Sequence, residues 1–198
     1  MRIPILIAGL LAAGAAPRLA AQTDVSLRVG VTGWSTLVHD FIAQDVNVKA
    51  SVAPSVFLGV GHSIAPRYGA ALELAATAGS LHSEYGDVRA DLGSVRTASA
   101  LALLDGGISG GLRWRAGLGF LHYFAGDAGS VLASGTTRLL VGGGLDFRRP
   151  VLAKWDVLVA ARYDFHRFSS PALKAHGYAG AQGVQRVSLS VGLARGHR

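Results

Sequence analysis

The stretch Lys154–Phe168 alternates in side-chain character with a period of two, and this alternation constrains the fold more than any other feature. One set of alternate positions holds Trp155, Val157, Val159, Ala161, Tyr163 and Phe165. The other set holds Asp156, Leu158, Ala160, Arg162, Asp164 and His166. Successive side chains of a β-strand point to opposite faces. A strand with one apolar face rimmed by aromatics and one charged face is typical of a transmembrane β-barrel.

The composition also favours membrane strands over a soluble domain. The chain has 198 residues, of which 50% are hydrophobic and only 16% are charged, against about 25% charged residues in soluble domains. No internal run approaches the roughly 18 apolar residues that a transmembrane helix needs. The net charge is +7, but most arginines stand singly at alternate strand positions. That spacing argues against a nucleic-acid-binding patch. The chain has no cysteine, which excludes disulfides and thiol catalysis.

The first residues have the pattern of a secretory signal peptide. Arg2 supplies the positive charge, Ile3–Ala16 is the short apolar stretch, and Leu19–Ala21 precedes a cleavage site at Gln22. We therefore expect a signal peptide over residues 1–22 and a single barrel domain over residues 23–198.

The alternation recurs along the rest of the chain and predicts an all-β, eight-stranded antiparallel up-and-down transmembrane β-barrel. The predicted strands are Asp24–Trp34, Val46–Gly61, Tyr68–Gly79, Leu92–Leu104, Gly111–Phe124, Thr136–Arg148, Lys154–Phe168 and Val184–Arg195. Long and short connections alternate, as they do in outer-membrane barrels. The first long loop is predicted at Ser35–Asp45 and the second at Ser80–Asp91.

Two of these strands have less regular faces. In Val46–Gly61 we expect Val48 and Ala50 to face outward with the valines that follow them. In Leu92–Leu104 the residue Arg96 lies among alanines, opposite a face of mixed polar and aliphatic residues. We expect Arg96 to point inward, because the outward face of such a barrel meets lipid.

With these segments in place, the chain resembles the small eight-stranded outer-membrane barrels of the OmpA and OmpX kind, roughly from Asp24 to Arg195. The resemblance implies a Sec-exported protein of the bacterial outer membrane with a structural or surface-interaction role. It implies no catalytic residue, metal or cofactor. The implied partners are outer-membrane lipid, including lipopolysaccharide, and the outer-membrane assembly machinery, with no nucleic acid and a monomeric state.

Charged side chains at inward positions form the candidate site. An eight-stranded barrel is just wide enough for side chains to fill it, and an unpaired buried charge costs several kcal/mol. We therefore expect arginines and carboxylates to pair and close the lumen. The excess of arginine leaves a narrow, anion-favouring channel as the alternative. The expected members are Arg28, Glu73, Arg96, Arg113, Arg115, Arg138, Asp146, Arg148, Asp156, Arg162, Asp164 and Arg186.

Aromatic residues near the strand ends are interpreted as interfacial girdles. They are Trp34, Tyr68, Trp114, Phe124, Phe147, Trp155 and Phe165.

Two further alternatives remain open. A soluble lipocalin-like binding barrel would share the strand count but needs an apolar interior and a polar exterior. A lipid A-modifying hydrolase would need a histidine and a serine on one face, so that the imidazole can deprotonate the hydroxyl. The spacing of three between His166 and Ser169 places them on opposite faces of a regular strand.

Overall fold

The computed structural model describes residues 23–40, 46–126, 135–152, 154–169, 174 and 181–196. The predicted signal peptide lies outside these residues. The strands are β1 Thr23–Trp34, β2 Val38–Asp40, β3 Val46–Ala50, β4 Ala53–Ala65, β5 Tyr68–Tyr85, β6 Val88–Ser109, β7 Leu112–Tyr123, β8 Thr136–Leu152, β9 Trp155–Phe168 and β10 Gln182–Gly196. No helix in the described part of the chain is long and apolar enough to cross a membrane.

Eight of these strands form a closed antiparallel barrel. β1 pairs with both β4 and β10, and the β5–β6 pairing joins the two ends of the sheet into a ring of β1 and β4 to β10. Consecutive barrel strands are neighbours throughout, so the topology is up-and-down. The predicted fold class is confirmed.

The two ends of the barrel differ. The β4–β5, β6–β7 and β8–β9 connections and the strand termini Thr23 and Gly196 lie at one end, which we call the turn end. The other connections lie at the opposite end, which we call the loop end.

Side chains alternate between the two faces of the wall as the period-two pattern predicts. In β9 every second residue from Leu158 to His166 is buried, and the residues between them are exposed. Large apolar side chains cover the outer surface on every barrel strand. They include Val25, Leu27, Val29, Val31, Val56, Leu58, Leu72, Leu74, Leu104, Leu118, Phe120, Leu139, Val141, Val159, Val187, Leu189, Val191 and Leu193. This arrangement is the reverse of a soluble lipocalin-like barrel.

The predicted strand Val46–Gly61 is two strands, and its first half was assigned to the wrong face. β3 pairs with β5 near the loop end, whereas β4 starts at Ala53 and pairs with β1. Ser51 and Val52 lie between them outside any strand. The two residues break the alternation, so Val48 and Ala50 are buried although the outward face of β4 lies on even-numbered positions.

The predicted polar loop Ser80–Asp91 is also wrong, because its residues extend β5 and β6 into a hairpin beyond the barrel wall. A two-residue turn, Gly86–Asp87, joins the strands, and Gly86 has a φ of 51°. Tight hairpin turns need this left-handed backbone, which glycine adopts without steric cost. The polar composition of Ser80–Asp91 therefore reflects strands exposed to solvent.

The short strands β2 and β3 add to the extended hairpin at the loop end. β3 pairs with β5 from Val46↔Tyr85 to Ala50↔Leu81, and β2 pairs with β3. The predicted loop Ser35–Asp45 thus contains a strand, and residues 41–45 lie outside the described residues. The result is a small sheet of β2, β3, β5 and β6 that rises from one side of the barrel.

Candidate functional site

Glu73 is the centre of a charged cluster inside the barrel. Its carboxylate accepts hydrogen bonds from Arg28 Nη2 and Arg162 Nη1, and Arg115 Nη1 lies 3.3 Å from Oε2. β5, β1, β9 and β7 carry these four side chains, so only the closed ring brings them together. Each of the four is at most 9% exposed. The three guanidiniums neutralise the glutamate inside the barrel.

Two further carboxylates extend this cluster. Asp146 Oδ2 lies 2.7 Å from Arg115 Nε. Asp164 Oδ2 accepts hydrogen bonds from Arg162 Nε at 3.0 Å and Nη2 at 2.8 Å. Arg186 is buried in the same part of the interior. With it, this part holds four buried guanidiniums and three buried carboxylates. These cluster residues are Arg28, Glu73, Arg115, Asp146, Arg162, Asp164 and Arg186.

Smaller ion pairs lie nearer the turn end. Arg148 pairs with Asp24. Arg113 pairs with Asp105, and Arg113 Nε lies 2.8 Å from Asp105 Oδ2. The predicted set did not include Asp24 or Asp105. The alternation in the first strand was sufficient to place Asp24 inward, whereas Asp105 lies directly after the predicted strand Leu92–Leu104 and so received no direction. Asp156 lies half-buried on the inward face of β9.

The interior near the loop end has a different character. Arg186 is 1% exposed, and its Cζ lies 5.7 Å from the centre of the Trp34 ring. Tyr123 Oη lies 2.8 Å from His166 Nε2, and Arg138 Nη2 donates to the Ser169 carbonyl. The hydrolase alternative would need His166 to face a serine hydroxyl, and its described partner is a phenol.

Trp34 is a correction to the predicted aromatic girdle. It occupies an even-numbered position of β1, and Ser26, Arg28 and Thr32 on that face are buried. Its ring therefore packs inside the barrel against Arg186 and does not reach the interface. The remaining girdle residues lie on the outer surface, half-buried in the case of Trp114. They are Tyr68, Trp114, Phe124, Phe147, Trp155 and Phe165.

Arg96 is a correction to the predicted lumen network. It is exposed on the outer surface of β6, whereas its neighbours Val95 and Thr97 are buried. The reason lies in the pairing of β6 with β5 and β7, which turns the mixed face of β6 inward. That face carries Val95, Leu101 and Leu103, while alanines and Arg96 face outward.

An apolar layer, which the sequence reasoning missed, packs in the interior beside the charged cluster and on its loop-end side, and its member Leu101 lies opposite Glu73 in the β5–β6 pairing. Leu37 and Val38 join it from the segment after β1, and Val48 and Ala50 from β3. The amide of Leu37 donates to the Val48 carbonyl at 2.8 Å. The buried members are Leu37, Val38, Val48, Ala50, Leu81, Val95, Leu101, Leu103, Leu121, Tyr123, Leu140, Phe168 and Val184.

A belt of hydroxyl groups lines one side of the interior at the middle of the barrel. Thr32 Oγ1 lies 2.7 Å from Ser55 Oγ and 2.9 Å from Ser188 Oγ, and Ser55 Oγ lies 2.8 Å from Thr77 Oγ1. The hydroxyls satisfy one another across four neighbouring strands. No group of three or more residues suited to hold a metal occurs in the described part of the chain.

The loop-end sheet carries an exposed ion pair that gives a pH prediction. Glu84 lies on β5 beyond the barrel wall, and the hydrogen bond from Lys49 Nζ on β3 lowers the pKa of Glu84 below its ordinary value of 4.5. The stabilisation of the β3–β5 contact is thus present above pH 4.5 and is lost as the pH falls through the lowered pKa. An NMR titration of the Glu84 carboxyl should show a midpoint below 4.5 that rises in Lys49→Met. An unchanged midpoint in that variant would show that Lys49 does not lower it.

Solved structures of outer-membrane proteins share this fold. OprG from Pseudomonas aeruginosa has a TM-score of 0.58 at 14% identity, covering 89% of this chain and 95% of that chain. Neisserial surface protein A has a TM-score of 0.57 at 12% identity, with coverages of 87% and 96%. The outer-membrane protein AlkL, solved in lipid bilayers, has a TM-score of 0.54 at 11% identity, with coverages of 91% and 93%.

No protein-family model and no curated protein sequence matches this chain. At these identities the structural likeness establishes the fold. The outward apolar band and the outer-membrane setting of such barrels agree with the location predicted from the sequence.

Proposed function

We propose, from the premise that this chain has the fold of the small outer-membrane β-barrels, that it is an integral outer-membrane protein with a closed lumen. Its role is structural and interactive. The barrel anchors the protein in lipid, and the loop-end sheet is displayed outside the cell. Short turns face the periplasm and long loops face outward in such barrels, so the turn end is assigned to the periplasm.

The observation that carries this proposal is the occupation of the interior at two successive levels. Glu73 and the three arginines that contact it cross the lumen at one level. Members of the apolar layer, among them Leu37 and Tyr123, lie farther toward the loop end. A permeating ion would have to displace paired charges and then cross buried hydrocarbon, both of which are costly.

The same geometry argues against the rival functions. The charged cluster holds one more buried guanidinium than carboxylates, which would favour an anion path. However, the guanidinium of Arg186 packs on the Trp34 ring and does not line an open path. A hydrolase role would need an accessible catalytic histidine, and His166 is 1% exposed with Nε2 facing Tyr123. We therefore propose no catalytic function.

Planar-bilayer recording of the refolded chain tests closure. Flotation with vesicles shows that the protein is inserted, and heat-modifiable migration on a gel shows that it is folded. From protein that passes both checks we expect no reproducible unitary conductance. A larger outer-membrane porin of known conductance, inserted in the same way, is the control for detection. A stable anion-selective unitary conductance would reject the closed lumen and support the channel alternative.

A further inference from the structure

We propose that the outer surface of β5 and β6 binds an anionic lipid, with one acyl chain along a furrow between β4 and β7 and the lipid phosphate on Arg96. This inference rests on the membrane location proposed above and adds the class of lipid and its site. It does not depend on whether the lumen is closed.

The furrow exists because the outward positions of β5 and β6 near the loop end hold alanines, whereas β5 carries Leu72 and Leu74 nearer the turn end. Two concavities of about 830 Å³ and 490 Å³ lie over these strands and share Val56 and Ala76 as lining residues. In the second, Leu58 of β4 lines one side and Phe120 of β7 the other. Alanines form the floor between them. These are Ala76, Ala78, Ala98 and Ala100.

A third concavity lies nearer the turn end and shares no lining residue with the other two. It measures about 780 Å³ and is lined by Leu72, Ala102 and Leu118, among others. These residues occupy the outward positions next to Leu74, Ala100 and Phe120 on the same three strands. The three concavities thus follow one another along the outside of β5 and β6, in the direction that an extended hydrocarbon chain would take.

Arg96 stands at the loop end of this furrow. It lines the first concavity together with Phe124, whose amide donates to the Arg96 carbonyl at 3.0 Å. An aromatic ring at this height is typical of the membrane–water interface. An arginine on the lipid face near the interface lowers the stability of a barrel only slightly. Its guanidinium is stabilised there by an anionic partner. Guanidinium groups bind phosphate oxygens in a bidentate manner.

Among the residues that the structure describes, none offers an anion to Arg96. Every described carboxylate in the barrel wall lies on the inward face, namely Asp24, Glu73, Asp105, Asp146, Asp156 and Asp164. The exposed Asp91 lies on the loop-end hairpin, five residues or about 16 Å along β6. A second copy of the chain would therefore bring apolar side chains to this surface and no counter-charge. Charge complementarity selects an anionic lipid as the occupant.

Native mass spectrometry of the full chain in zwitterionic detergent measures this binding. Dimyristoylphosphatidylglycerol and dimyristoylphosphatidylcholine are the two probes, because their acyl chains are the same and their net charges differ. We expect the chain to retain the anionic lipid preferentially. Arg96→Gln should weaken retention of the anionic lipid by about tenfold, which corresponds to one lost charged hydrogen bond, and should leave the zwitterionic lipid unchanged. Ala98→Phe, which fills the furrow, should weaken retention of both.

Arg167→Gln is the matched control, because Arg167 is an exposed arginine near the loop end of β9, outside the furrow. It should retain the anionic lipid within about twofold of the wild-type level, since no hydrogen bond is lost. Millimolar inorganic phosphate should not displace the lipid. Equal losses in Arg96→Gln and Arg167→Gln would show non-specific attraction, and full retention in Ala98→Phe would show that no chain lies in the furrow. Either result overturns the proposal, provided that heat-modifiable migration shows the variants to be folded.

Discussion

Replacing Glu73 with glutamine should lower the free energy of unfolding by about 3–5 kcal/mol, the usual cost of removing one partner from a buried ion pair. Glu73 is 1% exposed and contacts Arg28, Arg115 and Arg162. Arginine does not lose its proton in proteins, so the variant would leave the guanidiniums with too few anions. Urea unfolding in lipid vesicles, followed by tryptophan fluorescence, measures the change as a lower midpoint at constant slope.

A double-mutant cycle separates this charge effect from a change in packing. Arg28→Met removes one cation that faces Glu73, so the double variant Arg28→Met/Glu73→Gln should lose less stability than the two single losses added together. Glu84→Gln, in the exposed pair with Lys49, is the matched control and should change the midpoint far less. A wild-type midpoint for Glu73→Gln would mean that the buried network does not stabilise the barrel.

Replacing Leu189 with arginine should destabilise the barrel by about 2–4 kcal/mol in a bilayer, the cost of a cation on the lipid face near the midplane. Leu189 is 57% exposed and pairs with Val31 and Ala161 in the middle of the wall. At an exposed position in water the same substitution would change stability by only about 0.5 kcal/mol. The size of the effect therefore distinguishes lipid from water around this surface.

Gln185→Arg is the control for this second prediction. Gln185 is exposed on the same face of β10, nearer the loop end. A cation near the interface costs about 0–1 kcal/mol. Equal urea midpoints for Leu189→Arg and Gln185→Arg in vesicles would show that lipid does not surround this surface. That result would also contradict the outer-membrane location.

Most of the barrel follows from the local pattern of residues. In the middle of β9 and β10 all the charged side chains lie on one face and the other face is aliphatic or aromatic, so the direction of each side chain is unambiguous. β6 is different, because alanines lie on one face and a mixture of valine, leucine, threonine and serine on the other. Neither face is clearly the more apolar. The position of Arg96 therefore could not be predicted correctly from its own strand.

The errors at the loop end have a related cause. The alternation in Val46–Gly61 has no visible break, yet Ser51 and Val52 leave the sheet and reverse the face of β3. The polar residues of Ser80–Tyr85 match a loop in composition, yet they pair with β3 and β6. In both segments the neighbouring strand decides the structure, and the neighbour is not visible from local composition.

The sequence by itself determined most of the barrel strands, their outward apolar surface and most of the inward charges, because successive side chains of a strand point to opposite faces. Only the tertiary structure decided which charges meet. Glu73 reaches Arg162, 89 residues away along the chain, once β5 and β9 face each other across the closed ring. The placement of Arg96 toward lipid was likewise decided by strand pairing, since neither face of β6 is clearly the more apolar. The inward position of Trp34 instead follows from the alternation of β1, which places it on the face of Arg28 and Thr32.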